Sequence, residues 1–170
     1  MAALSNLFGA LCIGVGDLQN AAMARAAGID PTMLATLLFI HTRPACAIGD
    51  VAKTACVTHS GAVRAVDRLV SLGLAKRRLD SDDRRIAALY CTRVGSAIAE
   101  RALAARRAAL GNLLANALGS KVDRVTAKDI IERLLACLRP ETRADAWRIC
   151  RLCEHAVCRG KDCPVGKSVA

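Results

Sequence analysis

The sequence predicts a mainly α-helical protein that is interrupted once, near its middle, by a short β-hairpin. Ala, Leu and Arg dominate the composition, and all three favour helix. Hydrophobic residues make up 54% of the 170 residues but aromatic residues only 2%, so we expect an aliphatic core. The four prolines lie where one predicted helix gives way to the next, at Pro31, Pro44, Pro140 and Pro164.

Three helices are predicted before the hairpin. Residues 4–27 have apolar positions at a helical period, and Gly28 is suited to cap their C-terminal end. Pro31 fits the first turn of a second helix, which Pro44 ends. A short third helix is expected near 47–55.

The fourth helix and the hairpin follow directly. Thr58 is a good N-cap, and Gly73 stops the helix. The side chains that we expect on its buried face are Ala62, Val66, Leu69 and Val70. Those that we expect to point outward are Arg64, Asp67, Arg68 and Ser71. Residues 74–78 and 86–92 fit two strands around an acidic tip at 80–83.

The last part of the chain is again helical. A long helix is expected over 94–118, broken at Gly119-Ser120. The next helix has Ile130, Ile131, Leu134, Leu135 and Leu138 as apolar positions, with Thr126 and Asp129 as its suggested cap. After Arg139-Pro140, residues 141–157 read as helix.

A short helix followed by a two-stranded hairpin predicts a winged helix-turn-helix. We therefore expect a dimerisation helix at 1–29, the winged helix-turn-helix at 30–95, further dimerisation helices at 96–147 and a cysteine-rich tail at 148–170. The first and last helices are too apolar to stand alone, so they are predicted to bury one another across a twofold axis.

The charge is concentrated around the hairpin. The formal net charge is +10, and residues 61–110 carry 11 basic and 5 acidic side chains. Such a cluster suits a polyanion, because phosphate neutralisation releases condensed counterions. A solvated basic face that serves solubility is the equally weighted alternative.

An α-helix fits the major groove of DNA, where base edges carry a distinguishable pattern of donors and acceptors. The candidate DNA-binding residues on the fourth helix are Thr58, His59, Ser60, Gly61, Arg64 and Arg68. At the hairpin tip, Arg84 and Arg85 are candidates for a narrow minor groove, with Asp83 holding one of them by an ion pair. Arg77 is a candidate phosphate contact.

At these residues the chain resembles the multiple-antibiotic-resistance regulator (MarR) family of winged-helix repressors. The family pattern D-x-R, five residues, then Leu-Thr-x-x-Gly is matched by Asp83, Arg85, Thr92 and Gly95, with Cys91 in place of Leu. The resemblance covers roughly 30–138. It implies a homodimer that binds a palindromic operator and usually represses, with Arg85 as the wing arginine and 58–68 as the recognition helix. Members of the family often hold a small aromatic effector between the dimer helices and the DNA-binding part.

The C-terminal tail carries four cysteines, Cys150, Cys153, Cys158 and Cys163, with the spacing C-x2-C-x4-C-x4-C. Four thiolates this close can hold one metal tetrahedrally. A structural zinc site is the first interpretation, and an iron–sulfur cluster follows closely because Pro164 succeeds the last cysteine. A metal-free switch, in which Cys150 and Cys153 form a disulfide, is third.

The other cysteines carry less weight. Cys12, Cys56 and Cys137 lie among apolar residues and are expected to be small core residues, while Cys91 affects packing only. Cys46, in the loop after Pro44, is a candidate reactive thiol.

These observations predict a dimeric regulator that binds duplex DNA and is not an enzyme. Loss or oxidation of a metal in the tail would shift the dimer helices and lower operator affinity, by roughly 1–3 kcal/mol. A thiol oxidoreductase or metal-trafficking protein that uses the C-x2-C pair is the alternative, and a single-strand binder is a third hypothesis that the scarcity of aromatics disfavours. No convincing export signal or membrane span is recognised, so a cytoplasmic location is expected.

Overall fold

The computed structural model describes residues 1–55, 57–79, 87–154 and 163–165. Within these ranges the chain forms seven helices and one antiparallel hairpin, in the order α1 (Ala2–Ala27), α2 (Pro31–Thr42), α3 (Ile48–Ala55), α4 (His59–Ser71), β1 (Ala75–Leu79), β2 (Ala87–Cys91), α5 (Arg93–Ala117), α6 (Lys121–Cys137) and α7 (Arg143–Cys150). The predicted class, mainly helical with one small hairpin, is confirmed.

Several predicted helix ends are confirmed by their caps. Gly28 follows α1 with φ +68°, in the left-handed region where glycine is favoured. The carboxylate of Asp30 accepts hydrogen bonds from the backbone N–H groups of Thr32 and Met33, and Pro31 occupies the first turn of α2. Gly73, with φ +67°, directly follows the last turn of α4.

Two predictions about the later helices are wrong. Helix α6 starts at Lys121, not near Thr126 and Asp129, because Ser120 and Asp123 form a reciprocal capping box there. Helix α7 is shorter than the predicted 141–157. It ends at Cys150, and a turn follows.

The core is centred on α2 and the helix-turn-helix. Helix α2 is covered on every side, and its side chains from Leu37 to Ile40 are at most 2% exposed. Val51 of α3, Leu69 of α4 and Leu89 of β2 are fully buried against it. The DNA-reading part predicted from the sequence is therefore also the best-packed part of the described chain.

Helix α1 packs along α5, but only its C-terminal end is buried. Gln19 accepts a hydrogen bond from Arg106 of α5, at 2.8 Å. The remainder exposes Leu4, Leu7, Phe8, Leu11 and Ile13. By length and composition alone α1 could cross a membrane, a test that core helices of soluble proteins also pass.

Helix α6 has no buried residue, and it exposes Val122, Val125, Ile130, Ile131, Leu134 and Leu138. The start of α1 and helix α6 thus each carry apolar side chains that one copy of the chain does not cover. Isolated exposed apolar residues are ordinary, whereas several on one helix favour an interaction site.

Candidate nucleic-acid interface

Helix α4 is amphipathic and is held by its apolar stripe. Ala62, Ala65, Val66 and Leu69 are buried, and they pack against α2, α3 and β1. The prediction that Val70 is buried is wrong, since its side chain is 37% exposed. The spacing of the buried stripe explains the difference: it follows steps of three and four residues, and Ala65 lies within it while Val70 lies at its edge.

The opposite face of α4 is open to solvent. Thr58, His59, Ser60, Arg64 and Arg68 are exposed, and Gly61 is half-buried. The Thr58 hydroxyl oxygen caps the helix by accepting a hydrogen bond from the Gly61 N–H at 3.1 Å, and it lies 3.2 Å from the Ser60 hydroxyl. The first turn of α4 is therefore ordered by its own side chains before any ligand arrives.

An ion pair joins this face to the hairpin. The guanidinium of Arg77 on β1 donates to the Asp67 carboxylate of α4 at 2.7 Å. The sequence predicts Arg77 as a phosphate contact, and the structure gives it this protein partner. Both side chains are partly exposed, so the pair contributes little to stability, and it joins β1 to the outer face of α4, the helix on which β1 already packs. The sequence predicts Asp67 on the outer face of α4 but does not predict its partner.

The hairpin is anchored at its base. Arg77 of β1 is paired with Leu89 of β2, and the loop after α2 adds a third segment. In that loop the Ala45 N–H donates to the Leu89 carbonyl, and the Leu89 N–H donates to the Cys46 carbonyl. The predicted tip residues Asp83, Arg84 and Arg85 lie outside the described residues.

The junction between hairpin and α5 explains two positions of the sequence motif. The Thr92 hydroxyl oxygen accepts from the Gly95 N–H, capping α5, and its O–H lies 2.7 Å from the Gly73 carbonyl, which accepts from it. A β carbon at Gly95 would lie 1.9 Å from the Leu74 carbonyl oxygen, so α5 crosses the hairpin at a distance only glycine permits. Both residues fix the wing relative to α5.

The tail cysteines are only partly described. Cys150 ends α7, and the Cys153 N–H donates to the Cys150 carbonyl at 2.9 Å, so the C-x2-C pair forms one turn. Cys158 lies outside the described residues. In the part of the chain that is described, no group of three or more His, Cys, Asp or Glu side chains is arranged to hold a metal ion.

The predicted core positions of Cys12 and Cys137 are wrong for a single chain, because both thiols are exposed on the uncovered parts of α1 and α6. Cys56 lies outside the described ranges. Cys46 is buried, and this burial, followed by the charge of Asp50, raises its pKa to about 12. A thiol with so high a pKa is a poor nucleophile, which argues against Cys46 as the reactive cysteine.

Comparison with known proteins agrees with this geometry. The model of the MarR family matches residues 27–86. YusO from Bacillus subtilis superposes with a TM-score of 0.63 at 23% identity, covering 79% of this chain and 93% of that one. A mutant of MepR from S. aureus gives a TM-score of 0.68 at 18% identity, covering 79% and 97%.

A further solved structure is that of the transcriptional repressor CouR bound to a 23-mer DNA duplex. It gives a TM-score of 0.59 at 22% identity, covering 82% of this chain and 97% of that one. No curated protein sequence matches significantly. At these identities the structural likeness shows the fold, and together with the family model it supports a winged helix of the MarR type.

Proposed function

We propose that this chain is a MarR-family transcriptional regulator that binds duplex DNA sequence-specifically, as a homodimer in the cytoplasm, and represses. The proposal assigns it no catalytic activity. The observation that carries it is the exposed, internally capped face of α4, held beside a basic hairpin by the Asp67–Arg77 ion pair. A helix presented in this way matches the width of the major groove.

The two exposed arginines of α4 have different tasks. Arg64 lies one turn after Ser60 and is proposed to read a base edge, with Thr58, His59, Ser60 and Gly61 near the backbone or base edges. Arg68 lies a turn further along and is proposed to contact a phosphate. Asp83, Arg84 and Arg85 are proposed to enter the neighbouring minor groove, with Arg77 as the link between the two elements.

A homodimer follows from the uncovered apolar surface on α1 and α6. Two copies related by a twofold axis would bury this surface and present two recognition helices to a palindromic operator. CouR, a repressor that shares the fold, is bound to duplex DNA, which supports DNA as the partner and repression as the outcome.

Selection from a pool of random DNA duplexes tests the proposal, with the enriched duplex then used for titration by fluorescence anisotropy. We expect a palindromic sequence, and a steep loss of affinity with salt. Arg64→Ala should lower affinity by about 1–3 kcal/mol and relax specificity at one base pair in each half-site. Arg68→Ala should weaken all duplexes alike.

Arg25→Ala is the matched control, because this exposed arginine lies on α1, which packs on α5 and not on α4. It removes the same charge and should leave affinity nearly unchanged. Enrichment of no duplex by the wild-type protein, or equal losses in all three variants, would contradict the proposal.

For the tail we propose that Cys150, Cys153, Cys158 and Cys163 hold one metal centre, zinc narrowly ahead of an iron–sulfur cluster, which controls operator binding. The spacing and the turn between the first two cysteines support this. Elemental analysis and a visible spectrum of protein purified without oxygen decide between the metals. Protein with neither zinc nor iron would favour the metal-free disulfide switch, and reduction by a dithiol substrate would favour the thiol oxidoreductase alternative.

A small-molecule effector is also proposed. A cavity of about 380 Å³ lies between α2, α5 and the tail, and its lining includes His41, Leu103, Arg107 and Cys153. Glu100 and Glu154 also line it, and Arg107 is paired with Glu154, so an acidic ligand would have to displace this ion pair. Titration with salicylate, followed by thermal unfolding, tests this: no shift in midpoint would count against it.

A further inference from the structure

The tail has an unexpected neighbour. Helix α7, which leads into the C-x2-C turn, packs against α3, the first helix of the helix-turn-helix. Ala146 is buried there, and the Trp147 ring lies 6.1 Å from the ring of Phe39 in α2. The mechanism predicted from the sequence instead places the tail's influence on the dimerisation helices.

Arg43 connects the cysteine turn to the hairpin. Its guanidinium carbon lies 5.5 Å from the centre of the Trp147 ring. Burial lowers the pKa of Arg43, and the nearby Cys150 and Cys153 act in the opposite direction, but the guanidinium stays protonated, so only its closeness to the cysteine pair matters here. Arg43 also ends α2, and the loop that follows it forms the hydrogen bonds with Leu89 of β2.

A second set of contacts fixes the other side of the turn. Leu152 packs on the core formed by α2 and its neighbours. Glu154 forms an ion pair with Arg107 of α5. Further along the tail, Val165 is only 2% exposed. The C-x2-C turn is therefore held between α3 on one side and α5 on the other.

We infer that the tail controls the helix-turn-helix and wing of its own chain directly, through the contact of Trp147 with Phe39 and Arg43. This inference rests on the proposed function, and it replaces the route through the dimer helices that the sequence predicts. Trp147 lies only three residues before Cys150, so a change in the geometry of the C-x2-C turn moves its ring. This movement alters the packing that supports α3 and the loop that holds β2. The dimer helices need not move.

Trp147→Ala in the full-length protein tests the inference, with Trp147→Phe as the conservative control. Removing the ring should speed amide hydrogen exchange in α3 and in the loop 43–46, and weaken binding of the selected duplex by about tenfold. Trp147→Phe should retain most of the protection from exchange and most of the duplex affinity. The dimer, measured by light scattering, should persist in both variants.

Glu154→Gln provides a second variant in case the tryptophan change prevents folding, with Glu141→Gln as its control. The first loses the ion pair with Arg107, and the second removes the same charge at an exposed position outside this contact. Because the pair is partly exposed, we expect a loss of only about twofold in duplex affinity for Glu154→Gln, and none for the control.

The outcomes are distinguishable. Wild-type exchange in α3 together with wild-type duplex affinity in Trp147→Ala overturns the inference, and so does a loss of affinity that accompanies dissociation of the dimer. If the wild-type protein selects no duplex at all, the proposed function fails. Faster exchange in α3 of Trp147→Ala would then still show that the tail supports this helix.

Discussion

Gly95 is the position where the structure tolerates a larger residue least. A β carbon there would lie 1.9 Å from the carbonyl oxygen of Leu74, and β carbons essentially never come within 3.0 Å of another heavy atom. The obstructing atom belongs to the backbone, so no side-chain rotation relieves the clash. Gly95→Ala therefore requires α5 and the start of the hairpin to separate by about 1 Å, in a region packed as densely as a crystal.

Two opposing effects determine how much the free energy of unfolding changes in Gly95→Ala. Alanine inside a helix is favoured over glycine by about 1 kcal/mol. Overpacking at a site that cannot relax costs about 1–3 kcal/mol, and occasionally more. Because the clash is with backbone, we expect the upper end of this range and a net loss of about 2 kcal/mol in the free energy of unfolding.

Urea unfolding followed by circular dichroism at 222 nm measures this loss, at one fixed protein concentration because dimer formation stabilises the folded state. Gly49→Ala is the control: a β carbon at Gly49 meets nothing within 4 Å. Its midpoint should stay level or rise slightly. If Gly95→Ala unfolds at the same urea concentration as the wild type, α5 does not pass Leu74 as closely as described.

Three further predictions follow from the same region and its neighbours. Thr92→Val loses the cap on α5 and a hydrogen bond to the hairpin, so its free energy of unfolding should fall by about 1–2 kcal/mol, whereas Thr92→Ser should retain most of it. Asp67→Asn should weaken duplex binding in an anisotropy titration while leaving the urea midpoint nearly unchanged, because its ion pair with Arg77 is partly exposed. Equal losses of stability and binding would contradict this role. Cys46, whose pKa burial raises to about 12, is about one part in ten thousand thiolate at pH 8. Peptide mass spectrometry after iodoacetamide treatment should find it unmodified in folded protein and modified in urea, and rapid labelling of the folded protein would contradict its burial.

The sequence predicts the local structure well because local signals determine it. Gly28, Pro31 and Thr58 are end signals whose geometry depends on the residues beside them, and all lie at the helix ends where they are expected. The wrong cap for α6 has the same origin. Ser120 and Asp123 are also a capping pair, nearly two turns earlier than Thr126 and Asp129, and the first cap in the chain starts the helix.

What the sequence does not predict are contacts between residues far apart in the chain. The pairing of Asp67 with Arg77 and the contact of Trp147 with Phe39 each depend on how whole elements pack. The same limit applies to Cys12, whose apolar neighbours predict a core position. Those neighbours lie on a helix that a single copy leaves uncovered, so apolar surroundings in sequence do not mean burial in the folded chain.

The two proposed roles of this molecule, dimer formation and control by the tail, depend on different contacts. The apolar residues of α6 are buried by nothing in the described chain, and in the proposed dimer a second copy buries them, so this burial depends on protein concentration. The tail, in contrast, packs on α3 and α5 of its own chain, so its contacts do not depend on concentration. In the proposed mechanism, dimer formation and control by the tail can therefore vary independently. In this proposal, a chemical state of the cysteines weakens DNA binding without dissociating the dimer, because the tail acts within one chain.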